Sequence, residues 1–397
     1  MLNLTRYNII EFLRFLCILL LPLGIIINET GFTNVVLCIS IFICLCNLKE
    51  QRNKWIDFDK KFLFIILLFC AGIIISNIFS IIDMENSIKW AKKYCYWLLP
   101  GIVIYCLWNE KKYCKYFFSL GIFLGCFILC AYAGYEHIIL NIDRPKSLTA
   151  SPNSWPAFLV MSLPFLLYFL PNKLLKIFIT FFITYGILLS QSRTSFVALL
   201  LLLFVYFALN LQQIKDKFFN REFVYVAISI LVICAGSFSF NAVSKNITNI
   251  SNRMLMIENY DLEKQGGDRI YLWKSSIEII NDYYLHGVGL RNFNKVYVSG
   301  NYMNPKAKEP NLESPHNIFL HYLVEMGIIG TLPIIILLFS ICIFLKNNIN
   351  KNVARAMLLS LIAVLCNNML DYQLIGKYYY ELFWVLIFAT FAECFDK

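Results

Sequence analysis

Residues 62–82 read FLFIILLFCAGIIISNIFSII, an unbroken run without a single charge. A helix rises about 1.5 Å per residue, so roughly 18–20 apolar residues span the hydrocarbon of a bilayer. In lipid every backbone N–H and C=O must be satisfied within the segment, which makes such a run a helix. The whole chain carries the same message. Of its 397 residues 59% are hydrophobic and 16% aromatic, and only 15% are charged, where a soluble domain carries about a quarter. The sequence predicts an all-α polytopic membrane protein.

Twelve stretches qualify as spans: 10–28, 32–48, 62–82, 91–108, 116–135, 155–170, 174–190, 194–211, 222–241, 320–345, 352–370 and 378–395. Arg6 and Arg14 precede the first run, as in a signal peptide. INETGF follows it with no small-residue cleavage site, so it reads as a retained span. With a cytoplasmic N-terminus the inner loops hold sixteen lysines and arginines. The short outer loops hold seven: Lys89, Lys92, Lys93, Arg144, Lys146, Arg193 and Lys377. This bias places both termini inside. The formal charge of +10 is then a matter of topology, and membrane lipid rather than nucleic acid is the expected surroundings. Most of the 14 cysteines lie in apolar spans, where cysteine behaves as a small hydrophobe. None falls in 242–315, so no disulfide framework is expected outside. Cys44 and Cys46 have no histidine near them in sequence, and no metal site is expected either.

Three outward-facing segments break the apolar pattern. Residues 242–315 are the one long polar stretch, with nine basic and eight acidic side chains, a mixture unlike a single-sign disordered tail. Within it Ile270, Trp273, Ile277 and Ile280 recur at helical spacing, and Gly287 and Gly289 supply a turn. A long ordered loop of this kind is a place where function concentrates. The second break is Ser190-Gln191-Ser192-Arg193-Thr194-Ser195, inside the apolar stretch 174–211. As one helix that stretch would be about 57 Å long, nearly twice the membrane thickness, so the chain turns there. Arg193 then stands at the membrane edge, where an unpaired arginine is costly and is by default a candidate for a functional site, the alternative being an arginine that snorkels to the headgroups. The third is IDRPKSLTASPNSWPAFL (142–159), with Arg144, Lys146 and Asn153 facing the same side. The chain divides accordingly into a membrane part of nine spans (1–241), an outer loop carrying catalytic residues (242–319) and a membrane part of three spans (320–397).

Only four histidines occur in the chain, and His316 stands in Ser314-Pro315-His316-Asn317, just before the tenth span. Ser314 suits an N-cap and Pro315 the first helical position, which would put His316 in the first turn. The positive end of the helix dipole there disfavours an imidazolium, as a general base requires. Glu313 is near enough in sequence to orient it. His321, about 500° further round a helix, reads as a packing residue. Arg193, Arg269 and Arg144 face the same side, and guanidinium pairs a diphosphate bidentately without losing its charge. One histidine with two or three arginines at a membrane surface suits transfer from a lipid-linked pyrophosphate. Gly287-Val288-Gly289 lacks the third glycine and preceding strand of a dinucleotide fingerprint. Asp57-Phe58-Asp59 matches a two-aspartate pattern but lies inside, between lysines.

The ordered set Ser-Gln-Ser-Arg-Thr-Ser-Phe, Asp-Arg-Ile-Tyr-Leu-Trp, His-Gly-Val-Gly-Leu-Arg-Asn-Phe and Ser-Pro-His-Asn-Ile-Phe-Leu, followed by Glu-Met-Gly-Ile-Ile-Gly, resembles the bacterial O-antigen ligase family. The twelve-span layout, with a large, partly helical periplasmic loop between spans 9 and 10, resembles it too. The resemblance implies that Arg193 and Arg269 bind undecaprenyl diphosphate and that His316 activates the acceptor, with His316, Arg269 and Arg193 as the catalytic set. Arg144 and Asn317 complete the candidate substrate-binding residues. Arg144 is a looser match, because serine or alanine stands where the family has glycine, and Asn317, like Gly289, chiefly shapes the backbone. The implied reaction moves a preassembled glycan from undecaprenyl diphosphate to a sugar hydroxyl of lipid A–core, at the periplasmic face of the inner membrane. It uses no ATP, metal or other cofactor. O-antigen polymerases and protein O-oligosaccharyltransferases share these signatures; the latter carry an extra soluble region that is not found after residue 395. A lipid or glycan transporter is the reading from another class, which would show internal repeats and midplane charges. The sequence shows no clear repeat.

Overall fold

The computed structural model describes residues 2–80, 82–109, 111–170, 173–215, 267–300, 302–303 and 314–395. Among these there is no β-strand. The helices are α1 (Leu2–Ile26), α2 (Thr30–Cys46), α3 (Leu48–Asp57), α4 (Lys60–Ile78), α5 (Met84–Tyr96), α6 (Leu99–Leu107), α7 (Lys111–Ile138), α8 (Ser154–Phe169), α9 (Lys173–Ser190), α10 (Arg193–Lys215), α11 (Gly267–Asp282), α12 (Phe293–Ser299), α13 (Ile318–Asn347), α14 (Asn352–Leu370) and α15 (Lys377–Phe395). Five segments are each long and apolar enough to cross a membrane: Ile9–Ile26, Lys60–Ile78, Tyr113–Ile138, Ile318–Asn347 and Asn352–Leu370. Thr30–Cys46 with the sharply bent Glu50–Ile56 would make a sixth. Ser154–Phe169, Leu174–Ser190 and Arg193–Tyr206 are shorter apolar helices. The expected span 222–241 lies outside the described residues.

The packing is that of a protein solvated by lipid. Val35, Phe42, Phe64, Leu67, Phe204 and Phe339 are each at least 60% exposed, an apolar surface that water would not tolerate. At the centre, α8 is buried from Trp155 through Leu167 and α15 is buried from Tyr379 through Phe391. Helices that are apolar all round belong in such interior positions. Around them α1 packs on α7, α4 on α13, α6 on α15, and α14 on both α8 and α10.

Two expectations change. Residues 91–108 are a broken span and not one continuous helix: the helix breaks at Trp97–Leu98, where Trp97 N–H bonds back to the Lys93 carbonyl and Leu98 to Cys95. Pro100 then starts the short α6, which at nine residues reaches about 14 Å, half the hydrocarbon. The amphipathic α5 is left at the helix ends, with Ser87, Ala91 and Tyr94 turned inward. The second change concerns the outer loop. Its helix is present as α11, but the buried stripe is Leu272, Ser276 and Ile279, and Ile277 is 51% exposed. Leu272 and Ile279 join Val288, Phe293, Val296, Tyr297 and Val324 in a small satellite core, which sets the helix rotation.

That satellite core is fastened to the membrane helices by a backbone clasp. Helix α13 is kinked at Gly327 (φ 56°, ψ −162°). The kink frees main-chain groups that segment 284–289 takes up. Val288 and Gly289 N–H donate to the carbonyls of Val324 and Glu325 (2.8 Å each), and Ile328 and Ile329 N–H donate to those of Tyr284 and Leu285 (2.9 and 3.1 Å). The Gly287-Val288-Gly289 turn that lacks a nucleotide fingerprint is one half of this clasp. Similarly, Asp59 caps α4, accepting from the Lys61 N–H at 2.8 Å.

Candidate active site

The turn expected at Ser190–Ser195 is present. Ser190 ends α9 with its hydroxyl on the Ile187 carbonyl (2.7 Å), Gln191 adopts φ 53°, and α10 begins at Arg193, whose side chain is exposed. The outer segment 142–159 closes onto this turn. Arg144 Nε donates to the Ser190 carbonyl at 3.1 Å, Gln191 donates to the Asp143 carbonyl at 3.0 Å, and Arg144 Nη2 donates to Asn153. Arg144 and Arg193 are thus held in one local structure.

His316 lies elsewhere than the first helical turn. The N-cap of α13 is Asn317, whose Oδ1 accepts from Phe319 and Leu320 N–H at 3.0 and 3.1 Å. His316 precedes it with φ 54°. The helix-dipole argument therefore does not reach His316, and the Ser314 hydroxyl accepts from the His316 N–H at 3.4 Å rather than capping α13. Asn317 wins the cap because its amide is also anchored, donating to the Met369 carbonyl at the end of α14 (3.2 Å). Loss of such a cap costs about 1 kcal/mol. Asn317→Ala is expected to lower the thermal midpoint of the detergent-solubilised chain by a few degrees, while Asn317→Asp keeps the cap. A midpoint unchanged in Asn317→Ala would remove the cap's role.

The partner of His316 is one that sequence reading missed. His316 Nδ1 is 3.4 Å from Asp371 Oδ1, Asp371 being 6% exposed at the C-terminal end of α14. The expected partner Glu313 lies outside the described residues. A signal was present in the sequence: Asp371 is the single acid between the last two apolar stretches, on the outer side. Its pairing with a histidine far back in the chain depends on packing alone.

Neighbouring residues link the remaining candidates. Trp273 Nε1 donates to the Pro315 carbonyl at 2.9 Å, one residue before His316, and Arg269 stands four residues before Trp273 on α11. Side chains four apart share one helix face, so half-buried Arg269 lies on the face of α11 that carries Trp273. On the other side Ser195, one half-turn after Arg193, donates from Oγ to Asn367 Oδ1 at 3.1 Å. Asn367 is one turn before Asp371. The end of α14 thus meets α10 through Asn367 and the segment before α13 through Met369 and Asp371, while Trp273 of α11 reaches that segment at Pro315. His321 is fully buried, its ring centroid 4.2 Å from that of Tyr372 and tilted 40° to it, and its Nε2 is 3.1 Å from Glu325 Oε2. Burial pushes the neighbouring Tyr372 phenol well above its ordinary range, so it remains a neutral hydrogen-bonding group. Among the described residues no three His, Cys, Asp or Glu side chains group closely enough to hold a metal ion.

The fold and its lipid-facing surface define a polytopic helical membrane protein. A protein-family model described as O-antigen ligase (Wzy_C) matches residues 178–335, a stretch that contains Arg193, Arg269 and His316. Over this stretch the chain is similar to the O-antigen ligase family, in keeping with the resemblance carried by its motifs. No curated protein matches the chain.

Proposed function

We propose that the chain is an O-antigen ligase, moving a preassembled glycan from undecaprenyl diphosphate to a sugar hydroxyl of lipid A–core. The reaction takes place at the periplasmic face of the bacterial inner membrane. The topology that goes with this reading has twelve spans, both termini in the cytoplasm, and residues 242–319 as the periplasmic loop. The observation that carries the reading is the His316–Asp371 pair at the end of α14.

In the reaction the acceptor O–H gives its proton to His316 Nε2. The oxygen's electron pair forms the new bond to the anomeric carbon, and the bond from that carbon to the phosphate oxygen breaks, its pair leaving with undecaprenyl diphosphate. Asp371 at Nδ1 fixes the tautomer that leaves Nε2 as acceptor and stabilises the imidazolium that forms. Arg193 and Arg269, with Arg144 behind them, meet the charge growing on the diphosphate. The position of Arg193 supports this role. A cation in the first turn of a helix opposes the dipole at a cost of about 0.3–1 kcal/mol, a cost that an anion in the same place removes.

The test is the lipopolysaccharide profile of a strain lacking the gene, run beside an immunoblot for the polymer. Unsubstituted core, with polymer stranded on its lipid carrier, is the expected result. Core bearing one repeat would make the chain a polymerase instead, and a normal ladder would return the question to protein glycosylation or transport.

A further inference from the structure

The broken fourth stretch leaves α5 carrying a row of cations. Lys89, Lys92, Lys93 and Tyr96 fall at i, i+3, i+4 and i+7, opposite the buried Ser87, Ala91 and Tyr94, with Lys89, Lys92 and Tyr96 exposed. Lys93 Nζ lies 4.0 Å from the Trp90 ring centroid, and Arg291 Cζ lies 4.5 Å from the same ring. Arg291 holds the rare left-handed conformation (φ 63°), and its Nη2 donates to the Ile375 carbonyl at 3.2 Å. Lys377 is two residues further along, over the Tyr378 ring at 4.8 Å. The acids in this region are Asp83, ion-paired with Lys295 at 2.6 Å, exposed Glu85, and buried Glu381, 3.9 Å from Lys377. Four of the seven cations of the short outer loops gather here, on the side of the membrane where the topological bias disfavours them.

The position of this patch relative to His316 gives it a meaning. Along residues 367–375, Asn367 touches the helix of Arg193, Asp371 faces His316, and Ile375 holds Arg291. Along this segment the contact to His316 falls between the contact to the helix of Arg193 and the contact to Arg291. A displacement with a general base and no enzyme nucleophile brings the acceptor to the face of the sugar opposite the leaving group. The geometry points to Lys92, Lys93, Trp90 and Arg291 as a binding site for an anionic, phosphate-bearing sugar of the acceptor glycolipid. Trp90 supplies the flat face on which a sugar stacks, and the cations supply the charge. This assignment rests on the ligase reading.

The experiment uses the full chain in discs of zwitterionic phospholipid, with a lipid-linked glycan donor. Two acceptors are compared: phosphorylated lipid A–core and the same preparation after enzymatic dephosphorylation. Lys92→Gln/Lys93→Gln is expected to raise the KM for the phosphorylated acceptor about tenfold. The donor KM should stay in place, and the dephosphorylated acceptor should not respond. Lys92→Arg/Lys93→Arg keeps the charge and is expected to restore the wild-type KM, which separates charge recognition from folding. Equal effects on both acceptors, an effect on the donor KM, or no effect would overturn the proposal, the last assigning the row to bulk headgroups. If the wild-type chain transfers to neither acceptor, the ligase reading fails and this site falls with it, an outcome distinct from the other three.

Discussion

His316→Ala is expected to reduce glycan transfer by about 10²–10⁴-fold, the range that a positioned general base contributes. The protein level and thermal midpoint should stay close to wild type. His316 precedes the cap of α13 rather than sitting inside the helix, and 29% of its side chain is exposed, so its loss opens no cavity in the core. In the proposed reaction Asp371 acts through His316. Asp371→Asn is therefore expected to cost less, about 10- to 100-fold by analogy with partners that orient a functional histidine. The double variant should be no slower than His316→Ala alone, because groups that act as a unit are grossly non-additive. Transfer measured with purified protein in lipid discs decides the matter. Additive losses in the double variant would separate Asp371 from the base, and a His316→Ala enzyme above one tenth of wild-type rate would remove the base itself. Arg193→Ala gives the contrast, since a diphosphate-binding residue changes the donor KM as well as the rate.

Much of this site can be read in the sequence, and what cannot has a physical cause. Hydropathy alone locates α4, α7, α13 and α14, because lipid demands long uninterrupted runs of them. The turn before Arg193 follows from helix length, and the presence of α11 is legible while its buried face is not, because the satellite core sets the helix rotation. The break between α5 and α6 escapes because Trp97 and Leu98 are as apolar as a span, and a short helix buried against α15 needs the same residues as a long one facing lipid. Two cap-competent residues, Ser314 and Asn317, compete at the start of α13. The choice rests on a carbonyl at Met369 that local sequence does not contain. Asp371 is in the same position: nothing near it in sequence names a partner, and only the packing of α13 beside α14 supplies one.

Gly327→Ala is expected to prevent accumulation of folded protein. Its φ of 56° with ψ −162° falls in a region that only glycine enters readily, and other residues there cost about 1–3 kcal/mol. Space is also lacking. A Cβ at residue 327 would stand 2.5 Å from the Leu285 carbonyl carbon and oxygen, and 2.6 Å from the Gly287 nitrogen, all backbone atoms with no rotamer to move. Relief requires segment 284–289 to withdraw, which breaks the four hydrogen bonds of the clasp at about 1 kcal/mol each. Together these losses amount to about 5–7 kcal/mol, comparable to the whole stability of a modest domain. Gly287→Ala meets Glu325 and Met326 backbone at 2.5 Å with φ 73° and should fail in the same way. Gly134→Ala, on α7 with nothing within 4 Å of the added carbon, should behave as wild type or slightly better. Size-exclusion profiles and thermal scans of the detergent-solubilised chains test the three together. A Gly327→Ala protein with a wild-type midpoint would show the clasp to be dispensable. The functional consequence follows from the same contacts, since the kink directs Ile318–Met326, and with it Asn317 and His316, toward the end of α14. A chain that survived with the clasp loosened would keep its spans and lose the alignment of His316 with Asp371.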